Sequence, residues 1–145
     1  MTCALCLRYG AAYWLSRQAV PPRRHSFPDG STYYGEAPGG KIAGQGEFTD
    51  LNGNRYVGHF HNGAYHGPGT YYLAGGRAEV SRYSEGREVG LGAAWSADRQ
   101  KAWRLVAASA KDGVTKPAAI SLDDAASIAK ELDLPVPPMV PPLPL

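Results

Sequence analysis

The stretch that decides the fold of this chain occupies residues 56–71 and reads YVGHFHNGAYHGPGTY. In its first half Tyr56, Gly58 and Phe60 are two residues apart, so they point to one side of a β-strand. The dipeptide Asn62-Gly63 follows, and these residue types are preferred where both positions of a two-residue hairpin turn need positive φ. After the turn, aromatic residues and glycines again stand at alternate positions. The stretch therefore predicts two antiparallel strands joined by a tight turn.

The same pattern recurs when the chain is shifted by 23 residues, so that Tyr33–Arg55 aligns with Tyr56–Ala78. The matching positions are glycines and aromatic residues: Tyr33 with Tyr56, Gly35 with Gly58, Gly40 with Gly63, Gly44 with Gly67, Gly46 with Gly69, Phe48 with Tyr71 and Gly53 with Gly76. A second shift reaches Gly86, Gly90 and Gly92, and it places Tyr83 under Phe60. A fixed period of this length predicts a repeat protein whose unit is one hairpin.

The strand glycines have a physical interpretation, although each costs roughly 0.5–1 kcal/mol against alanine. Glycine in a strand often marks the close approach of another group. Gly58, Gly67 and Gly69 alternate with Tyr56 and other aromatic residues on one predicted face. We expect rings from neighbouring strands to cover the bare backbone, as in the aromatic rescue of strand glycines.

These residues closely resemble the MORN (membrane occupation and recognition nexus) repeat. The matching segments are Tyr56-Val57-Gly58-His59-Phe60, Asn62-Gly63, His66-Gly67-Pro68-Gly69 and Gly76. The first unit departs from the pattern at Ala37 and Ala43. The third departs at Glu79, Ser81 and Val89, as terminal units that close an array commonly do. The resemblance covers roughly residues 27–95.

The predicted fold class is mostly β: a single-layer antiparallel sheet of tandem ~23-residue β-hairpin (MORN-type) repeats, with a short C-terminal α-helix and a disordered proline-rich tail. We predict a disordered or targeting extension over residues 1–26 and the repeat array with a closing hairpin over residues 27–106. A linker and capping helix are predicted over residues 107–134, and the proline-rich tail over residues 135–145.

The region after the repeats predicts a closing hairpin and a helix. The hairpin spans residues 93–106, and Trp95 or Trp103 is expected to cover the last sheet edge. Ser121 is suited to be the N-cap of a helix that runs to about Leu132. Its apolar stripe consists of Leu122, Ala125, Ala126, Ala129 and Leu132. We expect this stripe to dock on the C-terminal end of the sheet; binding to a partner is the alternative.

The two ends of the chain leave alternatives open. Residues 1–26 are interpreted as a disordered extension, with an organelle transit peptide or palmitoylation of Cys3 or Cys6 as alternatives. Residues 135–145 are predicted to be a disordered extension with polyproline II character. A PxxP pattern from Pro138 to Pro141 has no flanking base to orient an SH3 partner.

Charge and motif patterns exclude several function classes. Residues 1–28 carry a charge of +4 and residues 29–145 a charge of −2, so the folded part lacks the clustered bases of a nucleic-acid binder. No apolar run approaches the roughly 20 residues that a membrane-spanning helix requires. The pairs Gly44/Gly46 and Gly67/Gly69 precede strand-like residues, which disfavours a nucleotide-binding loop. Common catalytic signatures are absent from the sequence.

The histidines permit one metal hypothesis. Across an Asn62-Gly63 turn, His59 would lie opposite His66, and His61 would share their face. Three imidazoles could hold zinc with an open fourth position. The structural alternative, exposed histidines without metal, is preferred, because the MORN pattern already accounts for His66. We therefore assign no metal, no cofactor and no catalytic residues.

We expect a non-enzymatic scaffold or adaptor that mediates protein–protein interaction through its aromatic and glycine-rich face. The candidate partner-binding residues are Tyr33, Tyr56, Phe60, Tyr65 and Tyr71. The expected partner is a protein or peptide, with self-association included. The resemblance implies two alternatives: a module that binds anionic phospholipid (a phosphoinositide or phosphatidic acid), and an accessory fragment of a lipid-kinase-like enzyme. The expected localisation is cytoplasmic, with membrane or cytoskeletal association or organelle targeting as alternatives.

Overall fold

The computed structural model describes residues 21–106 and 117–138 of the chain. They form one open antiparallel sheet of nine strands and a single α-helix near the C-terminal end. Every strand pairs with the strands that precede and follow it in the sequence, so the sheet is a continuous meander. The prediction of a mostly β chain with a short C-terminal helix is confirmed at this level.

The strands differ in length from three to nine residues. Their bounds are β1 Arg23–Ser26, β2 Thr32–Gly35, β3 Gly44–Thr49, β4 Arg55–His61, β5 Ala64–Tyr72, β6 Ala78–Ser84, β7 Arg87–Trp95, β8 Ala102–Val106 and β9 Ala118–Ile120. A short 3-10 turn, Pro38–Gly40, lies between β2 and β3. The helix α1 spans Leu122–Glu131.

The predicted two-residue turn at Asn62-Gly63 forms, and a second turn has the same geometry. Asn62 and Gly63 have φ values of 49° and 78° between β4 and β5. Glu85 and Gly86 repeat this geometry, at 49° and 79°, between β6 and β7. Both residues of each pair lie in the left-handed region that a two-residue hairpin turn of type I′ requires.

The turns also contact the neighbouring hairpins. The amide of Gly63 donates to the carbonyl of Ile42 at 3.0 Å, and the amide of Gly86 donates to the carbonyl of Tyr65 at 2.9 Å. The two donors, Gly63 and Gly86, are 23 residues apart in sequence, and so are the two acceptors, Ile42 and Tyr65. Each turn is thereby fixed against the chain that precedes it.

The helix α1 packs on the sheet through a cluster of apolar side chains. The buried members are Val80, Ala93, Trp95, Ala102, Ala125, Ile128, Ala129 and Leu132. The predicted docking on the C-terminal part of the sheet is confirmed, but the stripe is rotated from the predicted one. Ile128 takes part in the contact, whereas Leu122 is 42% exposed.

Three features at the ends of the sheet differ from the sequence prediction. Strand β1 lies inside residues 1–26, which were expected to be an extension, because Arg23–Ser26 pair with β2. Strand β9 lies in the predicted linker and pairs with β8. The edge of β8 is therefore covered by backbone pairing with β9, while Trp95 lies beneath the helix.

Only part of the predicted tail can be compared with the structure. Its first residues, 135–138, are neither helix nor strand. Pro137 is buried, and the guanidinium of Arg99 donates to the carbonyl of Pro138 at 3.0 Å. Residues 139–145, Cys3, Cys6 and residues 1–20 as a whole lie outside the described residues. Within the described ranges, the one α-helix is too short to cross a membrane.

Candidate binding groove

The aromatic face of the sheet depends on contacts between tyrosine rings and bare glycine backbone. A Cβ added at Gly46 would collide with the ring of Tyr33, and one added at Gly69 would collide with the ring of Tyr56. The hydroxyl of Tyr33 donates to the carbonyl of Glu36 at 2.8 Å, and that of Tyr56 donates to the carbonyl of His59 at 3.1 Å. Each tyrosine thus spans a glycine and reaches the carbonyl three residues beyond itself.

A network of ring contacts extends around Tyr56. Its ring stacks on Tyr65 at a centroid distance of 3.9 Å and meets Phe60 and Tyr83 edge to face, each at 5.2 Å. Tyr33 meets Phe60 edge to face at 5.1 Å. Tyr56 and Phe60 therefore lie on one side of β4, as the alternation predicts. Such aromatic pairs each contribute about 0.5–1.5 kcal/mol beyond their buried area.

An open groove lies beside this cluster, at the N-terminal end of the sheet. Its volume is about 1060 Å³. The apolar lining consists of Phe27, Pro28, Ile42, Phe48, Phe60 and Tyr65. Polar groups at its border include Asp29, Ser31, Lys41 and Asn62. The elements that meet here are the β1–β2 turn, the segment before β3, and the adjacent strands β3, β4 and β5.

Three pairs of partly exposed rings beside the groove have similar centroid distances. Phe27 and Phe48 have a centroid distance of 6.2 Å, and Phe48 and Tyr65 one of 6.4 Å. Tyr65 and Tyr71 are again 6.4 Å apart. Alternate residues of a polyproline II segment are about 6.2 Å apart, and those of a β-strand about 6.6 Å. The ring spacing matches a two-residue step of an extended peptide.

The border of the groove carries charge of both signs. Hydrogen bonds from the Ser31 hydroxyl and amide lower the pKa of Asp29, so this carboxylate is negative at neutral pH. Lys41 supplies a positive charge at the border. These groups flank an apolar floor, which is the usual composition of a site that binds apolar side chains and orients a polar backbone.

The structure separates the five predicted partner-binding residues into two groups. Tyr33 and Tyr56 are fully buried, and Phe60 is 5% exposed, because neighbouring rings and the glycine backbone cover them. Tyr65 and Tyr71 are partly exposed at the surface of the same cluster. Of the first group only Phe60 is part of the groove lining; of the second, Tyr65 lines the groove and Tyr71 lies outside it. A partner-binding role for all five stays a prediction.

Sequence reasoning missed three residues that line the groove: Phe27, Ile42 and Phe48. A signal for two of them was available in the 23-residue shift, which places Phe48 under Tyr71 and Ile42 under Tyr65. An apolar residue at a position that is aromatic in the next unit indicates a shared face. Phe27 precedes the first aligned unit, so no such comparison identifies it.

The three-histidine constellation predicted from the turn does not form. The register between β4 and β5 shifts between Gly58 and Phe60, so no residue lies directly opposite His59. The imidazole of His59 instead contacts the side-chain amide of Gln45 on β3. His61 and His66 do come together, with ring centroids 5.3 Å apart, but the third member of their cluster is Glu85.

Two arginines whose charge would be needed to attract an anionic headgroup are engaged within the sheet. Arg55 is buried, with its Nε 3.2 Å from a carboxylate oxygen of Glu47. The Nε of Arg77 lies 2.9 Å from Glu79, and its guanidinium lies over the ring of Trp103. Both arginines are therefore paired with acids of the sheet, Arg55 in a buried position and Arg77 in a partly exposed one.

No protein-family model matches the chain, and no curated protein matches it.

Proposed function

We propose that this chain is an array of MORN-type hairpin repeats that serves as a non-catalytic protein-interaction module. The observation that carries the proposal is the open groove floored by Phe27, Ile42, Phe48 and Tyr65. Its proposed occupant is an extended peptide segment of a partner protein, with proline or other apolar residues at alternate positions.

Three properties support a peptide rather than a small molecule. Small-molecule sites are concave and bury most of the ligand surface, whereas this groove is open along its length. Within the groove, the Phe27–Phe48 and Phe48–Tyr65 centroid distances of 6.2 and 6.4 Å are close to the spacing of alternate residues in an extended chain. Rows of aromatic rings are also the surfaces on which proline-rich segments dock.

Phospholipid binding has less support. Anionic headgroups are attracted by several clustered bases, each worth about 1 kcal/mol near the membrane surface. Arg55 and Arg77 pair with acids of the sheet, and the groove itself has an acid, Asp29, beside its one lysine. The observations therefore favour the peptide.

The proposal is tested by selecting peptides from a phage-displayed library of random 12-residue sequences against the full chain. We expect an enriched motif with proline or large apolar residues at every second position. A synthetic peptide with this motif should bind the Phe48→Ser variant about tenfold more weakly or worse, because a ring at the centre of the floor is lost. Leu51→Ser is the matched control, since Leu51 is 65% exposed and outside the groove lining.

Two outcomes would contradict the proposal. The first is the absence of an enriched motif, or equal binding of the peptide by wild type and Phe48→Ser. The second is co-sedimentation of the chain with vesicles containing phosphoinositide but not with neutral vesicles, together with no peptide binding. That result would favour the lipid function.

A further inference from the structure

A cluster of three potential metal ligands lies where two consecutive hairpins meet. Nδ1 of His61 is 4.0 Å from Oε1 of Glu85, and Nδ1 of His66 is 3.8 Å from the same oxygen. One ligand atom from each of the three side chains lies within 4.8 Å of the other two. The side chains are 58%, 45% and 70% exposed, so the cluster lies at the surface, while the Nδ1 atom of His66 itself is shielded from solvent.

The backbone holds these side chains together. His61 and His66 lie on either side of the Asn62-Gly63 turn, whose positive φ values fix its shape. Glu85 is brought to them by the next turn, which is anchored by the hydrogen bond from the Gly86 amide to the Tyr65 carbonyl. The acceptor residue, Tyr65, immediately precedes His66. The cluster thus joins two turns whose relative position is already fixed.

The donor atoms suit zinc and similar divalent ions. Two imidazole nitrogens and a carboxylate oxygen form a common three-ligand zinc set that leaves a fourth position open. With bonds of about 2.0–2.1 Å, tetrahedral ligands are about 3.4 Å apart. The distances of 3.8 and 4.0 Å shorten to this value by side-chain rotations of about 0.5 Å at the ligand atoms.

Two further observations indicate that the cluster is more than a surface ion pair. Nδ1 of His66 is shielded from solvent and makes no hydrogen bond to any residue in the described part of the chain. Glu85 also occupies a turn position with φ of 49°, where the preceding hairpin has Asn62. Glutamate is not a favoured residue in the left-handed region, so this choice costs stability that asparagine would not.

The repeat pattern accounts for His66 but not for His61 or Glu85, so it does not account for the cluster as a set. Positions 23 residues before His61, Glu85 and His66 are held by Pro38, Asn62 and Ala43. None of these offers an imidazole or a carboxylate. The donor set therefore occurs at this junction and is absent from the equivalent junction of the preceding unit.

We propose that His61, His66 and Glu85 form a binding site for one divalent cation of the zinc class. The bound ion crosslinks the β4–β5 and β6–β7 turns, and its remaining positions are open to water or to a donor group of a second protein. The site stabilises the array and is independent of the aromatic groove as a binding function.

The test is zinc titration by isothermal calorimetry on untagged full chain in which Cys3 and Cys6 are both replaced by serine. This background removes the thiols of Cys3 and Cys6, which would otherwise be able to bind zinc themselves. We expect one zinc per chain and visible absorption bands when cobalt replaces zinc. His66→Ala and Glu85→Asn should each weaken binding about tenfold or more, because only two of the three protein ligands remain.

His25→Ala is the matched control, since His25 lies on β1 outside the cluster. The zinc affinity of the His25→Ala variant should equal that of the background. Glu85→Asn also tests folding, because asparagine suits the turn and should raise the melting temperature without metal. Zinc should then raise the melting temperature of the background but not that of Glu85→Asn. No zinc binding in the background, or equal affinity in Glu85→Asn and His25→Ala, would overturn the proposal.

Discussion

The ring of Tyr56 lies against the bare backbone of Gly69 on the adjacent strand, so that a Cβ at Gly69 would come within 2.5 Å of the Tyr56 Cε2. The ring has no free space into which to move. It is fully buried, it stacks on Tyr65, and its hydroxyl is held by the carbonyl of His59. The glycine is thus as necessary to the aromatic cluster as the tyrosine.

We therefore expect Gly69→Ala to lower the free energy of unfolding by about 2–3 kcal/mol, the usual cost of overpacking a well-packed site. Gly75→Ala is the matched control, because nothing lies within 4 Å of a Cβ added there and its φ is not positive. Urea denaturation followed by circular dichroism measures both. Equal midpoints for the two variants would show that the ring moves aside at no cost.

The buried phenols predict a loss of stability at alkaline pH. Burial raises the pKa of five tyrosines above the usual value of 10: Tyr33, Tyr56, Tyr65, Tyr71 and Tyr83. Above pH 10 the unfolded chain releases phenolic protons that the folded chain retains. The folded state binds more protons there, so the free energy of unfolding falls as pH rises, by up to about 1.4 kcal/mol per pH unit for each phenol.

Spectrophotometric titration of phenolate checks this expectation, with circular dichroism recorded on the same samples. The chain has nine tyrosines. Some should ionise near pH 10 with the sheet intact, and the remainder only as the sheet signal disappears. If all nine ionised in one step near pH 10 without unfolding, the rings would not be protected as the structure indicates.

The buried ion pair of Glu47 and Arg55 predicts an asymmetric response to substitution. Their side chains are 3% and 6% exposed, so Glu47→Gln leaves a buried guanidinium without its carboxylate and should cost about 3 kcal/mol. Glu79→Gln is the control, because the Arg77–Glu79 pair is 40% and 19% exposed and should cost about 1 kcal/mol or less.

The double variant Glu47→Leu/Arg55→Met distinguishes a lost charge partner from lost packing. It removes both charges and keeps apolar volume, so its stability should return to within about 1–2 kcal/mol of wild type. Thermal and urea unfolding of the single and double variants measure the difference. A double variant no more stable than Glu47→Gln would mean that side-chain shape, rather than charge, dominates at this site.

The hairpins could be predicted from the sequence because their determinants are local. Asn62-Gly63 defines its turn from two adjacent residues, and the alternation of Tyr56, Gly58 and Phe60 defines one face. These features need no knowledge of the rest of the chain.

The features that were missed depend on contacts between distant segments or on weak local patterns. Gly67 adopts φ of 79° beside the register shift, yet its sequence neighbours read as an ordinary strand. Strand β9, Ala118–Ile120, has no polar alternation to identify it. Glu85 meets His61 only because the next hairpin docks on β5, and a pattern within one hairpin does not contain that information.

The N-terminus of α1 carries the last prediction, because its cap and an interior serine form a matched pair. The Ser121 hydroxyl accepts from the Asp124 amide at 3.0 Å, so Ser121→Ala should cost about 1 kcal/mol. The Ser127 hydroxyl only donates to the Asp123 carbonyl one turn earlier, so Ser127→Ala should leave stability unchanged or raise it by a few tenths of a kcal/mol.

Hydrogen exchange at the amides of Ala125–Ala129 should accelerate in Ser121→Ala alone, since this helix covers Trp95 and frays from its capped end. Equal exchange in the two variants would show that packing on the sheet, and not the cap, holds the first turn.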